Sequence, residues 1–419
     1  MSLANIFSSV AGQESAELDM PTVVATAEEA AEAVVEAELK TAEADIAEQD
    51  KEIAQHETAI EALEEKVEEL EEVIEGTESM LNGTTPFNAG LFAHQFKQGS
   101  KIVGKFGAPV EVQGVESFAD VSTASLNAYA GIETFKETAS KAIGAIKKFF
   151  VDLYNSFINL FVGLFNKLKA IKNKATQLKA AVNNAKSVKS GNELSLSKSA
   201  NLIETNGASK AIASLVAVGG KAFSELQGLG MAQADDAANA VHAVADAFAG
   251  AGSKSVDGKT DTSETLVVKV GQNGVVKITA PVKDAGLGAV KVAVSTGEQT
   301  PHSAVDNKSQ LLSIVNSVAA DADKLQNAKM DKSALMQQRD RAIGVMEKAA
   351  ASAGEREGAD KAEIKKEKKS GVGAIKAAHT AGLKLARAAT ALGSDILEAQ
   401  LAFVKAHIGG ALPKEEGAK

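Results

Sequence analysis

The sequence has no cysteine and no tryptophan, and only two tyrosines and six prolines among 419 residues. Without cysteine there is no disulfide framework, no thiolate-ligated zinc or iron–sulfur site, and no thiol nucleophile. Aromatic residues are 4% of the chain while hydrophobic residues reach 45%. The apolar share therefore rests on small aliphatics, Ala and Val above all. That composition suits helices packed through small side chains rather than a deep aromatic-lined pocket. Residues 1–25 carry no Lys or Arg and only a short, interrupted apolar stretch. They do not read as a secretory signal, so synthesis in a cytoplasm is expected. Length alone suggests about two to three domains.

What is abundant is charge, unevenly placed. The formal net charge is −10. Residues 1–80 hold 23 Asp and Glu against Lys40, Lys51 and Lys66, a net −20, and the remainder carries +10. Between 134 and 190 there are 11 Lys against only Glu137 and Asp152. An acidic head on a basic body points to a tail or propeptide, or to a basic part that meets nucleic acid or an anionic membrane.

The clearest element spans 26–78. Leu39, Ile46, Ile53, Ile60, Val67 and Ile74 recur every seven residues, with Ala42, Gln49, His56, Leu63 and Leu70 between them. This is a heptad pattern with Ile and Val at a and Leu at the last d positions. The predicted coiled-coil seam is Leu39, Ile46, Ile53, Ile60, Leu63, Val67, Leu70 and Ile74. Its outer face is dominated by Glu, so self-pairing would bring like charges together. A basic partner, or folding back onto the basic body, would relieve that repulsion. Pairing within or between molecules stays open at this level.

Gly76, Gly83 and Pro86 end the heptad helix, and 83–120 reads as a Gly- and Phe-rich connector with short helical or extended pieces. Residues 121–186 read as one or two helices. Their apolar face is Phe149, Phe150, Leu153, Tyr154, Phe157, Ile158, Phe161 and Phe165, with Lys148, Asp152, Asn155, Asn159 and Asn166 along one polar stripe. The 17-residue run 149–165 holds one charge and is short for a membrane span. An amphipathic helix fits better. Lys167, Lys169, Lys172, Lys174, Lys179, Lys186 and Lys189 extend it as the expected anion or DNA contacts. Residues 187–210 read as a loop, 211–250 as Ala-rich helix, and 251–264 as a polar loop. Gly271-Gln-Asn-Gly274 between Leu266–Val270 and Val275–Ile278 is a hairpin signal, and 290–294 could add a third strand. Helix returns over 303–352 and 371–408, ended by Gly409, Gly410 and Pro413.

Signals for chemistry are sparse. His56, His94, His242, His302, His379 and His407 show no metal-ligand spacing. Gly228-Leu-Gly230 and Gly371-Val-Gly373 lack the strand-before, helix-after setting of a phosphate cradle. Asp257–Asp261 lacks the acidic spacing and closing Glu of a calcium loop and reads as a turn. No catalytic, cofactor-binding or metal residues are assigned, and no cofactor or small-molecule substrate is expected. Lys without interleaved Arg favours non-specific phosphate contact over base reading.

Three stretches carry a resemblance: Gly114-Val-Glu-Ser-Phe118, then Ala130-Gly-Ile-Glu-Thr134, then Ala142-Ile-Gly-Ala-Ile-Lys-Lys-Phe-Phe-Val-Asp-Leu-Tyr154. Set behind an acidic head in a cysteine-free, Lys- and Ala-rich helical chain, they resemble the internal head (inner body) proteins of giant tailed bacteriophages. The resemblance covers mainly 110–185. It implies a virion protein packaged with DNA in the capsid interior, often with a propeptide removed after a glutamate. That cleavage pattern is a small residue, any residue, then Glu. It is met at Ser15-Ala16-Glu17, whereas Glu116 departs from a strict Ser or Ala pattern with Gly114 in the first position.

The expectations are then as follows. The fold is mainly α, with a long N-terminal coiled-coil helix, an Ala-rich helical bundle and a small antiparallel β-hairpin element. The divisions are 1–82 (acidic head), 83–120 (connector), 121–250 (basic amphipathic region), 251–300 (hairpin insertion) and 301–419 (C-terminal helices). The protein is a non-enzymatic internal head protein. Cleavage is expected after Glu17 or Glu116, and partners are itself or other virion proteins through the coiled coil, and DNA through charge. The alternative is a membrane-active protein that uses the amphipathic helix 143–171.

Overall fold

The computed structural model describes residues 27–81, 86, 88–105, 124–185, 187–188, 202–203, 208–228, 234–250, 252–261, 263–271, 273–282, 290–297, 305, 307–327, 332–352 and 361–408. The heptad segment forms helix α1 (Ala27–Leu81), followed by α2 (Ala89–Lys105) and α3 (Ala124–Asn184). Next come α4 (Ser209–Gly228) and α5 (Ala234–Gly250), then a sheet, and then α6 (Lys308–Gln326), α7 (Lys332–Ser352) and α8 (Lys361–Ile408). Local chemistry sets several starts. Asn88 Oδ1 accepts from the Leu91 amide at 3.0 Å at the head of α2, and Asn307 Oδ1 accepts from the Gln310 amide at 2.9 Å at the head of α6.

Helix α8 is the hub. Its buried residues include Ile375, Ala378, Leu383, Leu385, Ala388, Leu392, Ile396, Leu397, Leu401 and Val404, which cover most of its circumference and leave one half-buried stripe with Lys384, Arg387, Asp395, Glu398 and Lys405. A helix apolar over so wide an arc must be enclosed. Helices α3, α4, α5, α6 and α7 and strand β4 all contact it. Its many alanines permit close approach. The Cβ that Gly393 lacks would stand 2.8 Å from Leu325 of α6.

Helices α3 and α8 run parallel, with Tyr154 beside His379 and Lys167 beside Asp395. Helix α1 lies outside them, along α3 and antiparallel to it. Helix α2 folds back on the end of α1, where Gln98 donates to Glu69 at 2.9 Å. One apolar cluster joins Leu39, Ile46, Ile53 and Ile60 of α1 to the rest of the core.

The β element is larger than a hairpin. Strands β1 (Gly252–Lys259), β2 (Ser263–Val270), β3 (Gly274–Pro281) and β4 (Lys291–Thr296) form an antiparallel sheet in that order. The expected polar loop 251–264 is therefore mostly strand β1. Composition hid it, because β1 reads Gly-Ser-Lys-Ser-Val-Asp-Gly-Lys and its described side chains are exposed, as suits a blunted edge strand with a bulge. The central hairpin is where the sequence placed it, with Leu266 opposite Ile278 and Val268 opposite Val276, all four buried. Gly271 takes φ 62°, the left-handed conformation that glycine adopts freely. A Cβ on Gly274 would meet the Val270 carbonyl at 2.7 Å and Leu392 of α8 at 3.3 Å, so the loop end sits tight against the hub. The turn at 260–263 joins β1 to β2 through Thr260 and Ser263. The connector 83–120 contains α2, whose Phe92 and Ile102 are buried.

Candidate functional site

The most organised polar feature is the contact of α1 with the body. Glu43, Asp50, Glu57 and Glu64 recur every seven residues, each four places after Leu39, Ile46, Ile53 and Ile60. The apolar series is buried, and the acidic series runs along its edge. Every one of these four carboxylates meets a cation of α3 or α8. Glu43 Oε1 lies 3.1 Å from Lys174 Nζ and accepts from Lys405 Nζ at 2.6 Å. Asp50 lies 2.8 Å from Lys167 Nζ. Glu57 pairs with Arg387, and Glu64 lies 2.7 Å from Lys384. On α3, Lys174 and Lys167 are also seven apart, so two antiparallel helices meet in matched steps.

Lys167 is the deepest of these charges. Its side chain is 5% exposed, and Asp50, Asp395 and Glu398 surround its ammonium at 2.8, 3.0 and 3.3 Å. Burial works against the charge, but Asp395, Glu398 and Asp50 outweigh it and hold the ammonium above its ordinary range. Burial likewise tends to raise the Glu43 carboxyl. Lys405 and Lys174 overcome it and hold Glu43 below the usual carboxylate range.

The predicted seam divides. Leu39, Ile46, Ile53, Ile60 and Leu70 are buried and Leu63 is half-buried, while the side chains of Val67 and Ile74 lie outside the described set. The predicted apolar face of α3 is inside the fold. Phe149, Phe150, Leu153, Tyr154, Phe157, Ile158 and Phe161 are buried, and Phe165 is half-buried against the same core. By length and composition the stretch Lys148–Asn184 could cross a membrane, yet 56% of its apolar window is buried within the protein.

The lysines expected to meet anions fall into different settings. Lys167 and Lys174 are buried and paired as above. Lys172 holds Asp323 of α6 at 2.8 Å. Lys169 and Lys179 are exposed on the outer stripe of α3 with Asn166, Asn173 and Thr176. Lys186, Lys189, Glu17 and Glu116 lie outside the described residues. The α1 carboxylates and Lys384, Arg387 and Lys405 were not singled out from sequence. A signal for them existed in the seven-residue spacing of acids beside the a positions. Lys167 and Lys174 likewise share a helical stripe with Leu160, Leu164, Ile171 and Leu178.

Tyr154 and His379 form a second buried pair, sharing a 3.0 Å hydrogen bond with Phe150 packed edge-on to the imidazole. Burial depresses the His379 pKa to about 3 and pushes the Tyr154 phenol well above its usual value. The imidazole is thus neutral at pH 7, closed in by core side chains. Among the described residues no cluster of three or more His, Asp or Glu is arranged to hold a metal ion.

The model of the phiKZ-like phage internal head proteins matches residues 22–407. The chain belongs to this family. Its members are structural proteins of the capsid interior, so this internal head protein is a virion protein of the phage head. The match runs from before α1 into the last turn of α8, so the acidic helix is part of what defines this internal head protein. Comparison with curated proteins and with solved structures gives no match.

Proposed function

We propose that this internal head protein is a non-enzymatic, proteolytically trimmed packing component that lies with DNA in the capsid. On this reading its acidic first helix neutralises the basic side of its own body. One observation supports it most directly: the carboxylates at 43, 50, 57 and 64 each meet a cation of the body. An otherwise basic body is thereby kept from indiscriminate phosphate contact during assembly. What remains for DNA is lysine exposed on α3, notably Lys169 and Lys179, and contact of that kind is non-specific and salt-sensitive.

Trimming after Glu17 removes two carboxylates and leaves the α1 contact intact. Cleavage after Glu116 severs a segment carrying 25 acidic and 6 basic side chains, leaving a chain of net +9. A membrane role for α3 requires its Phe face to leave the core, a cost the aqueous packing role avoids.

The test is the intact mass of the protein from purified virions, with anisotropy titration of duplex DNA over a range of salt. A mature start at residue 18 or 117, and affinity that falls steeply with salt, support the reading. A full 43.2 kDa chain in the particle removes the trimming step, and binding to anionic vesicles without binding to DNA removes the packing role.

A further inference from the structure

We infer that the surface formed by α3 and the flank of α8 is a docking site for an acidic heptad helix, and that α1 stays bound there after the chain is cut between α2 and α3. The occupant is this chain's own segment 27–105.

Two independent features specify it. The first is apolar: Leu39, Ile46, Ile53 and Ile60 are buried in the common core. At Gly163 the Ile53 side chain seats close on the α3 backbone, since a Cβ there would stand 3.2 Å from Ile53 Cγ1. The second is ionic and fixes which face of α1 meets the body. Glu43 engages Lys174 and Lys405 together, Asp50 engages Lys167, Glu57 engages Arg387, and Glu64 engages Lys384. The acidic series runs on at Glu36 and Glu71, so the ion pairs select the face of α1 that meets the body, and the apolar row resists a slip that would bring Glu32 to the place of Leu39. Helix α2 travels with α1, because Gln98 is bonded to Glu69 and Gly99 lies 3.1 Å from Val73 on Cβ placement.

The apolar stripe matters for persistence. Ion pairs alone weaken as the Debye length shrinks, and a polyanion could replace the carboxylates. DNA has no counterpart for a row of Leu and Ile side chains, so it cannot take the whole seat. Cleavage at Glu116 therefore does not by itself unmask the body, and the acidic segment remains as a non-covalent subunit. This rests on the trimming reading only for when the cut occurs; the seat itself is independent of it.

The experiment uses the full chain with a recognition site for a sequence-specific protease inserted within 106–116. After cutting, gel filtration with light scattering is run at ionic strengths of about 0.1 M and about 1 M. Both fragments are expected in one peak, at the mass of one chain, at both strengths. Separation on cutting overturns the proposal, as does a peak at the mass of two chains, which would place α1 on a second copy.

A charge variant, Lys174→Glu with Lys405→Glu, is expected to weaken retention at least tenfold at the lower ionic strength. Adding Glu43→Lys is expected to restore it. Circular dichroism of each uncut variant reports whether the body is folded. Unchanged retention in the folded charge variant overturns the ionic part of the seat. A full-length chain in virions would end the trimming reading and leave this result standing.

Discussion

Ile53 of α1 rests on the gap left by Gly163 of α3, with Cγ1 3.2 Å from where a Cβ would be. Gly163 is buried in the middle of a long helix, where glycine costs about 1 kcal/mol relative to alanine. The close approach of α1 offsets that cost. Gly163→Leu is expected to destabilise the protein by about 1–3 kcal/mol through overpacking. Removing the contacting carbon, Ile53→Ala, should let Gly163→Ala be accommodated and recover helix propensity, so the double variant loses less than the two single losses added. Urea unfolding of the single and double variants checks this. A Gly163→Leu protein as stable as the parent would show that α1 is not seated there.

Lys167 gives the second prediction. Three carboxylates converge on its ammonium, so the cation keeps Asp50, Asp395 and Glu398 from repelling one another. Lys167→Met removes the charge and leaves three carboxylates, each partly open to solvent, facing one another. Solvent screens those carboxylates, so the loss should lie below that of a fully buried pair, at about 1–3 kcal/mol. Adding Asp395→Asn should return part of that. Denaturant midpoints of the single and double variants measure the coupling, and a loss below the level of exposed pairs would mean the cluster is more hydrated than its burial indicates.

These residues show what could be read from sequence. The a positions Leu39 to Ile60 announce a buried stripe on α1, and Phe149 to Phe161 announce one on α3. What a heptad cannot announce is its partner, because a seam of Leu and Ile fits another copy or any apolar helix face equally well. The partner here is in the same chain, and only tertiary packing decides that. Charge alone groups Lys167 and Lys174 with the exposed lysines, although their spacing places them beside Leu164 and Ile171. Strand β1 escaped because an exposed edge strand needs no apolar alternation. The central hairpin was legible because Gly271 and Gly274 punctuate two β-branched runs.

The outer face of α1 yields a third prediction. Glu38, Asp45, Glu48 and Glu52 are exposed and point away from the body, so they add to the acidic field without holding the fold. Changing them to Gln, Asn, Gln and Gln raises the net charge by four while leaving Glu43, Asp50, Glu57 and Glu64 in place. Surface changes of this kind should alter stability by no more than about 0.5 kcal/mol. Affinity for duplex DNA should rise, and the gain should vanish at high salt as counterion and Debye screening take over. Equal affinity at low salt in parent and variant would mean that α1 does not limit DNA contact.

The buried Tyr154–His379 pair makes stability depend on pH in a definite direction. In the folded protein His379 protonates only near pH 3, whereas an exposed histidine in the unfolded chain protonates near pH 6.5. Between those values the unfolded state binds the extra proton. Stability from this group is therefore full above about pH 6.5 and falls by up to about 1.4 kcal/mol per pH unit below it. Glu43, held low by Lys405 and Lys174 against its burial, adds a further loss only below the ordinary carboxylate range. At the alkaline end Tyr154 works the other way. Its phenol keeps its proton in the fold, so stability declines once pH passes the ordinary tyrosine value of about 10. His379→Gln removes the titration and keeps an amide able to bond the Tyr154 hydroxyl. Its stability should change less steeply than that of the parent between about pH 6.5 and 4.5, a window in which an ordinary histidine is gaining its proton. Tyr154→Phe should leave that slope in place and lower stability by about 1–3 kcal/mol at every pH, since it strands a buried ring nitrogen. Parallel slopes for the parent and His379→Gln across that window would show that the imidazole is protonated inside the fold and that the pair is not the neutral hydrogen bond described.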